Sequence, residues 1–375
     1  MTEDLISKKD IYFPSYLETN DNLITLLNRT SQILCEWFSK AEKYGPLPFD
    51  DNFKCIMPDE NGNSSEDLFS EIKVLLNNSF NPVHPGSLAH LDPPPLIFSI
   101  LGDLIAAGLN NNLLAYELSP SVTLLEDSLC KWFAKKIGFS DSSGGIAASG
   151  GTLSNLNALI AARHNAGLGS DPNSVLLVSE DAHSSFIKCT RIMGLDEANL
   201  FRVKTDNKGC IDIQNLRKII DKCSIDNKKI FAVVATLGTT VRGAIDPIME
   251  ISKICKEKDI WLHIDGSIGG IFALTSIPTE GLSNINQANS ITINPQKIIG
   301  ITKTSSLLLV SNMNTLENTF TTGLPYISSK ENIINRGEIG IQGSRPAEVI
   351  KLWLGLRFLG LNGIENILKS SIKRK

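Results

Sequence analysis

The sequence predicts an α/β fold built on a mostly parallel sheet flanked by helices, and two observations carry that expectation. From residue 144 to 310, short apolar runs alternate with amphipathic helical patterns at the spacing of strand–helix–strand units. Upstream, residues 20–80 place apolar side chains at helical intervals without a strand pattern, so a helical segment precedes the sheet.

In chain order, "NLITLLNRTSQILCEWF" reads as an amphipathic helix, and the loop "FKCIMPDENGNSSED" separates it from a second, "LFSEIKVLLNNSF". The proline-rich turn "NPVHPGSLAHLDPPP" then punctuates the chain. Two further helical stretches follow, "LIFSILGDLIAAGLNN" and "SVTLLEDSLCKWFAKKIGF". The candidate strands are "VLLVSE", "NLFRV", "IFAVVATLG", "IWLHID", "SITIN" and "SSLLLV", with helices around 153–167, 182–193, 211–223 and 247–258 between them. No internal repeat or low-complexity tract interrupts the pattern.

Composition narrows the function classes. The chain has 375 residues, 42% hydrophobic and 20% charged, the balance of a soluble globular protein with a large core. A formal net charge of −4 without a basic block argues against a nucleic-acid partner. Seven scattered cysteines without a CxxC pair fit a reducing compartment, and argue against a disulfide framework or a zinc site. The start "MTEDLISKKDIYF" has no apolar h-region, and no run approaches the ~18 apolar residues of a membrane span. A cytoplasmic enzyme or binding protein is the expectation, with no membrane and no metal site.

Four constellations could carry chemistry, each where a strand ends, the usual place for a ligand in an open α/β sheet. In "AASGGTLSNLNALIAAR", Gly150, Gly151 and Thr152 precede a helix whose exposed N–H groups and macrodipole favour an anion; a plain glycine turn capped by Thr152 is the other reading. His183 in "SEDAHSSFIKC" follows the strand "VLLVSE" and is either a capping residue or a functional imidazole. Asp265 ends the strand of "WLHIDGSIGGIF" and forms a turn, or pairs with a cation such as a protonated ring nitrogen. Lys297 stands in "SITINPQKIIG" between two apolar runs, where a buried ammonium is costly unless paired or deprotonated, so it is either a snorkelling edge residue or an amine held in the interior for chemistry. Together, an anion loop, a histidine, a strand-end aspartate and a lysine match the needs of pyridoxal phosphate.

Eight segments in order resemble one family: "HPGSLAHLDPPP", "SPSVTLLE", "ASGGTLSNLNAL", "DAHSSFIK", "ATLGTTVRGAIDP", "WLHIDGSIGG", "SITINPQK" and "GSRPAEVIKLW". From about residue 84 to 360 the chain is similar to the group II pyridoxal-phosphate decarboxylases, which include glutamate, aromatic amino acid and diaminobutyrate decarboxylases. The resemblance implies a fold type I enzyme, a homodimer, and decarboxylation of an L-amino acid to its amine and CO2. It implies an N-terminal helical segment over 1–95, a cofactor-binding α/β domain over 96–350, and over 351–375 a remnant of a small C-terminal domain.

By position, Lys297 matches the Schiff-base lysine, Asp265 the partner of the pyridine nitrogen, and His183 the histidine stacked on the ring. Ser267 falls on the opposite face, where the family usually has alanine. Gly150, Gly151, Thr152 and Asn294 match phosphate-binding positions, and Thr240 and Asp246 match residues that support the site. Gln296 stands where the family commonly has histidine; it keeps a donor and an acceptor but does not titrate. Arg345 matches an arginine implicated in holding the substrate or the closed site. Tyr326, in "GLPYISS", matches a loop tyrosine that returns a proton to Cα. Two other readings stay open: a truncated, inactive homologue that binds cofactor or a partner subunit, because the small domain is largely missing, and another fold type I lyase or aminotransferase. The amino acid used is not specified by these motifs.

Overall fold

The computed structural model describes residues 13–14, 19–48, 53–54, 57–58, 60, 62–87, 91–323 and 334–373. The chain divides into two compact units, Met1–Pro94 and Pro95–Lys375.

In the first unit, the helices Asp21–Ser39 and Ser65–Asn77 pack together. Ser64 starts the second by accepting from the Asp67 N–H. Arg29 ties the two helices, forking onto the Glu66 carboxylate and lying 4.5 Å over the Phe69 ring centroid. Ile33 and Phe69 are buried, while several other apolar residues, including Ile24, Val74 and Leu75, stay exposed.

The second unit is organised by a seven-stranded sheet: β1 Gly144–Ala148, β2 Val175–Ser179, β3 Leu200–Val203, β4 Ile230–Thr236, β5 Trp261–Gly266, β6 Ser290–Ile293 and β7 Ser306–Val310. Their spatial order is β1-β7-β6-β5-β4-β2-β3. Neighbours from β6 through β3 pair in parallel, while β7 is antiparallel to both β6 and β1. Six strands therefore run one way and β7 alone runs back. The six expected strands are all present. β1, "GGIAA", has no β-branched run to announce it, and its glycine is required: a Cβ on Gly145 would lie 2.2 Å from the Leu308 carbonyl oxygen.

Helices cover both faces of this sheet. One face buries Leu177, Val233, Leu262, Ile264 and Ile291 in the main core, to which the helices Pro120–Lys136, Ile213–Ile225, Ile248–Glu257 and Val349–Lys373 contribute. The other packs Leu176, Val178, Ala232 and Val234 against the helices Gly151–Asn165 and Ser185–Ile192. On that second face, the alternation of β5 and β6 places His263, Asp265, Ser290 and Thr292, all buried and polar. The helices Ile97–Leu109 and Val349–Lys373 cross closely, since a Cβ on Gly102 would lie 2.4 Å from Cα of Lys351. The second of these breaks at Gly360, whose φ of 60° suits glycine, and it runs across the boundary expected at 350/351. Among the described residues, no helix is long and apolar enough to cross a membrane.

Candidate active site

Five strand ends converge on one cavity of about 260 Å³ at the carboxyl edge of the parallel strands. Its lining includes Gly150, Gly151, Thr152, His183, Thr240, Asp265, Ser267, Asn294, Gln296 and Lys297. Ten candidate cofactor residues, separated by up to 147 positions (297 − 150), are brought to one place.

β1 leads into Gly150, whose φ of 98° turns the chain into the helix Gly151–Asn165. The amides of Gly151 and Thr152 open that helix, where N–H groups have no acceptor within the helix. A Cβ on Gly151 would lie 2.5 Å from Asn294 Nδ2 and 3.1 Å from Ser267 Oγ, so only glycine lets these groups close around the helix start. Asn294 is oriented from behind: its Oδ1 accepts from the Ser306 hydroxyl at 2.6 Å, which leaves Nδ2 toward Gly151. Backbone amides and a carboxamide donor thus form an anion cradle.

At the opposite side, Asp265 is buried at the end of β5. Its Oδ1 accepts from the Ser267 N–H at 3.1 Å and its Oδ2 from Asn155 Nδ2 at 3.3 Å. Register places it between Thr236 on β4 and Thr292 on β6, and both threonine hydroxyls are buried without a hydrogen-bond partner. Thr236 lines the cavity. An orphaned hydroxyl there is costly unless a bound group satisfies it.

β6 runs into the single helical turn Pro295–Ile298, which carries half-buried Gln296 and Lys297. The Ser305 N–H donates to Gln296 Oε1, fixing that amide. His183 lies on the exposed side, its Nδ1 accepting from the Ser185 N–H at 3.1 Å. Asp246 does not line the cavity. It braces the β4 end, accepting from the N–H groups of Ile211 and Thr236 at 2.7 Å each; burial raises its pKa to about 6.

Arg345 is not among the lining residues. Its guanidinium is buried on Glu126, with N–O distances of 2.9 and 3.1 Å, and it also donates to the Ala147 carbonyl. Tyr326 lies outside the described residues. Three polar residues near Asp265 escaped the sequence reading: Asn155, His263 and Ser290, which hydrogen-bond in series. For His263 and Ser290 the signal was the polar alternation of "WLHID" and "SITIN", anomalous in strands covered on both faces; Asn155, inside a helix, gave none.

The donor set fits pyridoxal phosphate on structural grounds. An anion cradle that excludes a Cβ, a buried carboxylate and an amine surround one cavity, which suits a flat ring carrying a phosphate and a protonatable nitrogen. Among the described residues, no cluster of His, Cys, Asp and Glu could hold a metal ion.

Residues 52–374 match the family model described as the pyridoxal-dependent decarboxylase conserved domain. The chain is similar to an aromatic-L-amino-acid decarboxylase of Bacillus atrophaeus, 31% identical over 322 residues, covering 84% of this chain and 66% of the relative. It is also similar to the acidic amino acid decarboxylase GADL1 of Xenopus tropicalis, 29% identical over 365 residues, covering 94% and 70%. The chain thus spans about two thirds of the length of these relatives. Among solved structures, mouse CSAD aligns with a TM-score of 0.88 at 23% identity, covering 95% of this chain and 78% of that one. Oryza sativa TDC with PLP and tryptamine aligns at 0.86 and 20% identity, covering 94% and 77%. These likenesses show a shared fold, the fold type I architecture.

Proposed function

Since the chain belongs to the pyridoxal-dependent decarboxylase family, we propose that it decarboxylates an L-amino acid, releasing the amine and CO2. The observation that carries the reading is the convergence of the cradle, Asp265, His183 and Lys297 on one cavity. Pyridoxal phosphate bound there supplies the electron sink for the pair left when the bond from Cα to the carboxylate breaks.

Lys297 would hold the cofactor through its amine. Gly150, Gly151, Thr152 and Asn294 hold the phosphate, so binding energy at that end fixes the ring in place. Asp265 keeps a proton on the ring nitrogen by placing a buried negative charge beside it. His183 and Ser267 would flank the cofactor, with Thr240 and Gln296 completing the polar rim. Tyr326 is assigned, from the sequence alone, to return a proton to Cα. Arg345 supports the closed site through Glu126 and Ala147, the second of the two roles its family position carries.

The functional unit is a homodimer in a reducing, cytoplasmic setting. Supporting the dimer, Ile97, Leu101, Leu104, Ile105 and Leu109 stand exposed along one helix. Supporting the setting, the six described cysteines are all free. Substrates are aromatic or acidic amino acids, the classes named for the relatives.

The test is CO2 and amine release by the purified chain with pyridoxal phosphate, across aromatic, acidic and basic amino acids. Turnover of at least one, abolished by Lys297→Ala, is expected. A chain that binds the cofactor yet releases no CO2 from any of them would refute the assignment.

A further inference from the structure

Behind Asp265, on the sheet face that carries the cavity, lies a line of buried hydrogen-bonding groups. Trp261 Nε1 donates to Ser290 Oγ at 2.8 Å, and Ser290 Oγ lies 2.8 Å from His263 Nδ1. His263 Nε2 lies 3.1 Å from Asn155 Oδ1, and Asn155 Nδ2 donates to Asp265 Oδ2 at 3.3 Å. All five side chains are buried, so water cannot substitute for any member.

The ends of this line dictate every direction within it. An indole N–H can only donate, and an ionised carboxylate can only accept. With Asp265 as acceptor, Asn155 must present its NH2 there and its oxygen to His263. His263 must then carry its proton on Nε2, leaving Nδ1 bare to accept from the Ser290 hydroxyl. The Ser290 oxygen is left to receive the indole N–H. Reversing any one bond would set two acceptors against each other: a proton on Nδ1 alone would leave bare Nε2 facing the Asn155 oxygen, and a flipped Asn155 would turn its oxygen on the carboxylate. A charged His263 would donate to the Ser290 oxygen and leave the Ser290 hydroxyl hydrogen without its acceptor. Protonating Asp265 would remove the acceptor on which the whole order depends.

We propose that Asn155, His263 and Ser290 are positioning residues that form a single-direction hydrogen-bond relay from Trp261 to Asp265, holding that carboxylate aligned on the cavity. The relay rests on the reading of Asp265 as the partner of the cofactor ring nitrogen. It has a physical reason in that role. Asp265 is buried and flanked by two threonines whose hydroxyls find no partner, so neither threonine fixes its orientation. A chain of aligned dipoles ending on Oδ2 does, and each bond polarises the next. Ser290 and His263 do not line the cavity, and their hydrogen-bonded connection to it runs through Asn155.

The experiment labels the five histidines with 15N in the full chain, with and without pyridoxal phosphate, and identifies His263 by its loss in His263→Gln. The expected wild-type state is a neutral Nε2–H tautomer from pH 6 to about 8, the range in which a free imidazole would titrate. Ser290→Ala should leave the Nε2–H tautomer in place, since Asn155 sets it, but should weaken cofactor affinity by roughly ten-fold, the smaller loss usual for partners one step removed from a bound group. Its KM should stay near wild type while kcat falls, and Ser290→Thr, which retains the hydroxyl, should restore both kcat and affinity. An Nδ1–H or doubly protonated His263 in the wild type at neutral pH would overturn the relay. So would a folded Ser290→Ala protein with unchanged kcat and unchanged cofactor affinity. Should Ser290→Ala fail to fold, the wild-type tautomer decides alone. The tautomer is read without turnover, so a failure of the decarboxylase assignment shows separately, as absent CO2 release with the relay intact.

Discussion

Gly151 at the start of its helix and Asn294 beyond β6 approach so closely that a Cβ on the glycine would lie 2.5 Å from the asparagine Nδ2. Asn294 cannot retreat freely, because its Oδ1 holds the Ser306 hydroxyl, which in turn lies 2.7 Å from Ser154 Oγ. The methyl group of alanine would therefore displace the donor that completes the anion cradle, while the helix tolerates alanine well. Gly151→Ala should fold with near wild-type stability and bind pyridoxal phosphate at least about ten-fold more weakly, a loss of ~1.4 kcal/mol. Fluorescence titration with the cofactor checks this; wild-type affinity would mean that the cradle lies elsewhere.

The opposing behaviour of two buried titratable groups gives a pH prediction. Burial lowers the His263 pKa from 6.5 to about 4, against the upward pull of Asp265. Between those values the unfolded chain takes up a proton that the native chain refuses, so this contribution to stability rises with pH. Burial raises the Asp246 pKa from 3.8 to about 6, outweighing its two backbone hydrogen bonds. Here the native chain keeps a proton that the unfolded chain has released, so this contribution falls as pH rises through the same range. Urea unfolding between about pH 4 and pH 7 should show the wild-type advantage over His263→Gln growing with pH, and that over Asp246→Asn shrinking. Slopes of the same sign would contradict the assignment.

Much of the site was legible because its residues sit at strand ends within recognisable local patterns. Lys297 stood out as a cation between apolar runs, and Asp265 as a carboxylate closing one. The residues that supply their support were harder to see. Asn155 looks like any polar residue inside a helix, and its bonds to Asp265 and His263 span 110 and 108 positions. Ser290 and His263 did leave a trace, since buried parallel strands ordinarily run continuously apolar and these alternate. β1 was missed for the opposite reason. Close approach to β7 demands glycine at position 145, and glycine erases the strand signal. The ion cluster at Glu126 gave no signal, because its two arginines lie 210 and 219 residues away.

That cluster supports the last prediction. Glu126 is fully buried on the helix Pro120–Lys136 and accepts from Arg336 Nε at 3.0 Å and from both terminal nitrogens of Arg345. Burial alone would push its carboxyl up, but the two guanidiniums outweigh burial and hold its pKa below the usual value. Arg336 and Arg345 also donate to the Gly145 and Ala147 carbonyls, capping β1, which lies at the edge of the sheet. Glu126→Gln would leave buried Arg345 without the carboxylate it hydrogen-bonds and Arg336 with only Asp127, 3.5 Å from its Nη1, a defect that costs about 3–5 kcal/mol. Arg345→Gln should cost a similar amount, and the double variant less than the sum, with a coupling of about 1–3 kcal/mol measured by urea unfolding. The two substitutions should also disturb KM equally, because neither side chain lines the cavity and each acts through the β1 end that leads to Gly150. An arginine that grips the substrate carboxylate would behave otherwise: Arg345→Gln alone would raise KM, Glu126→Gln would not, and the stability coupling would leave that difference untouched.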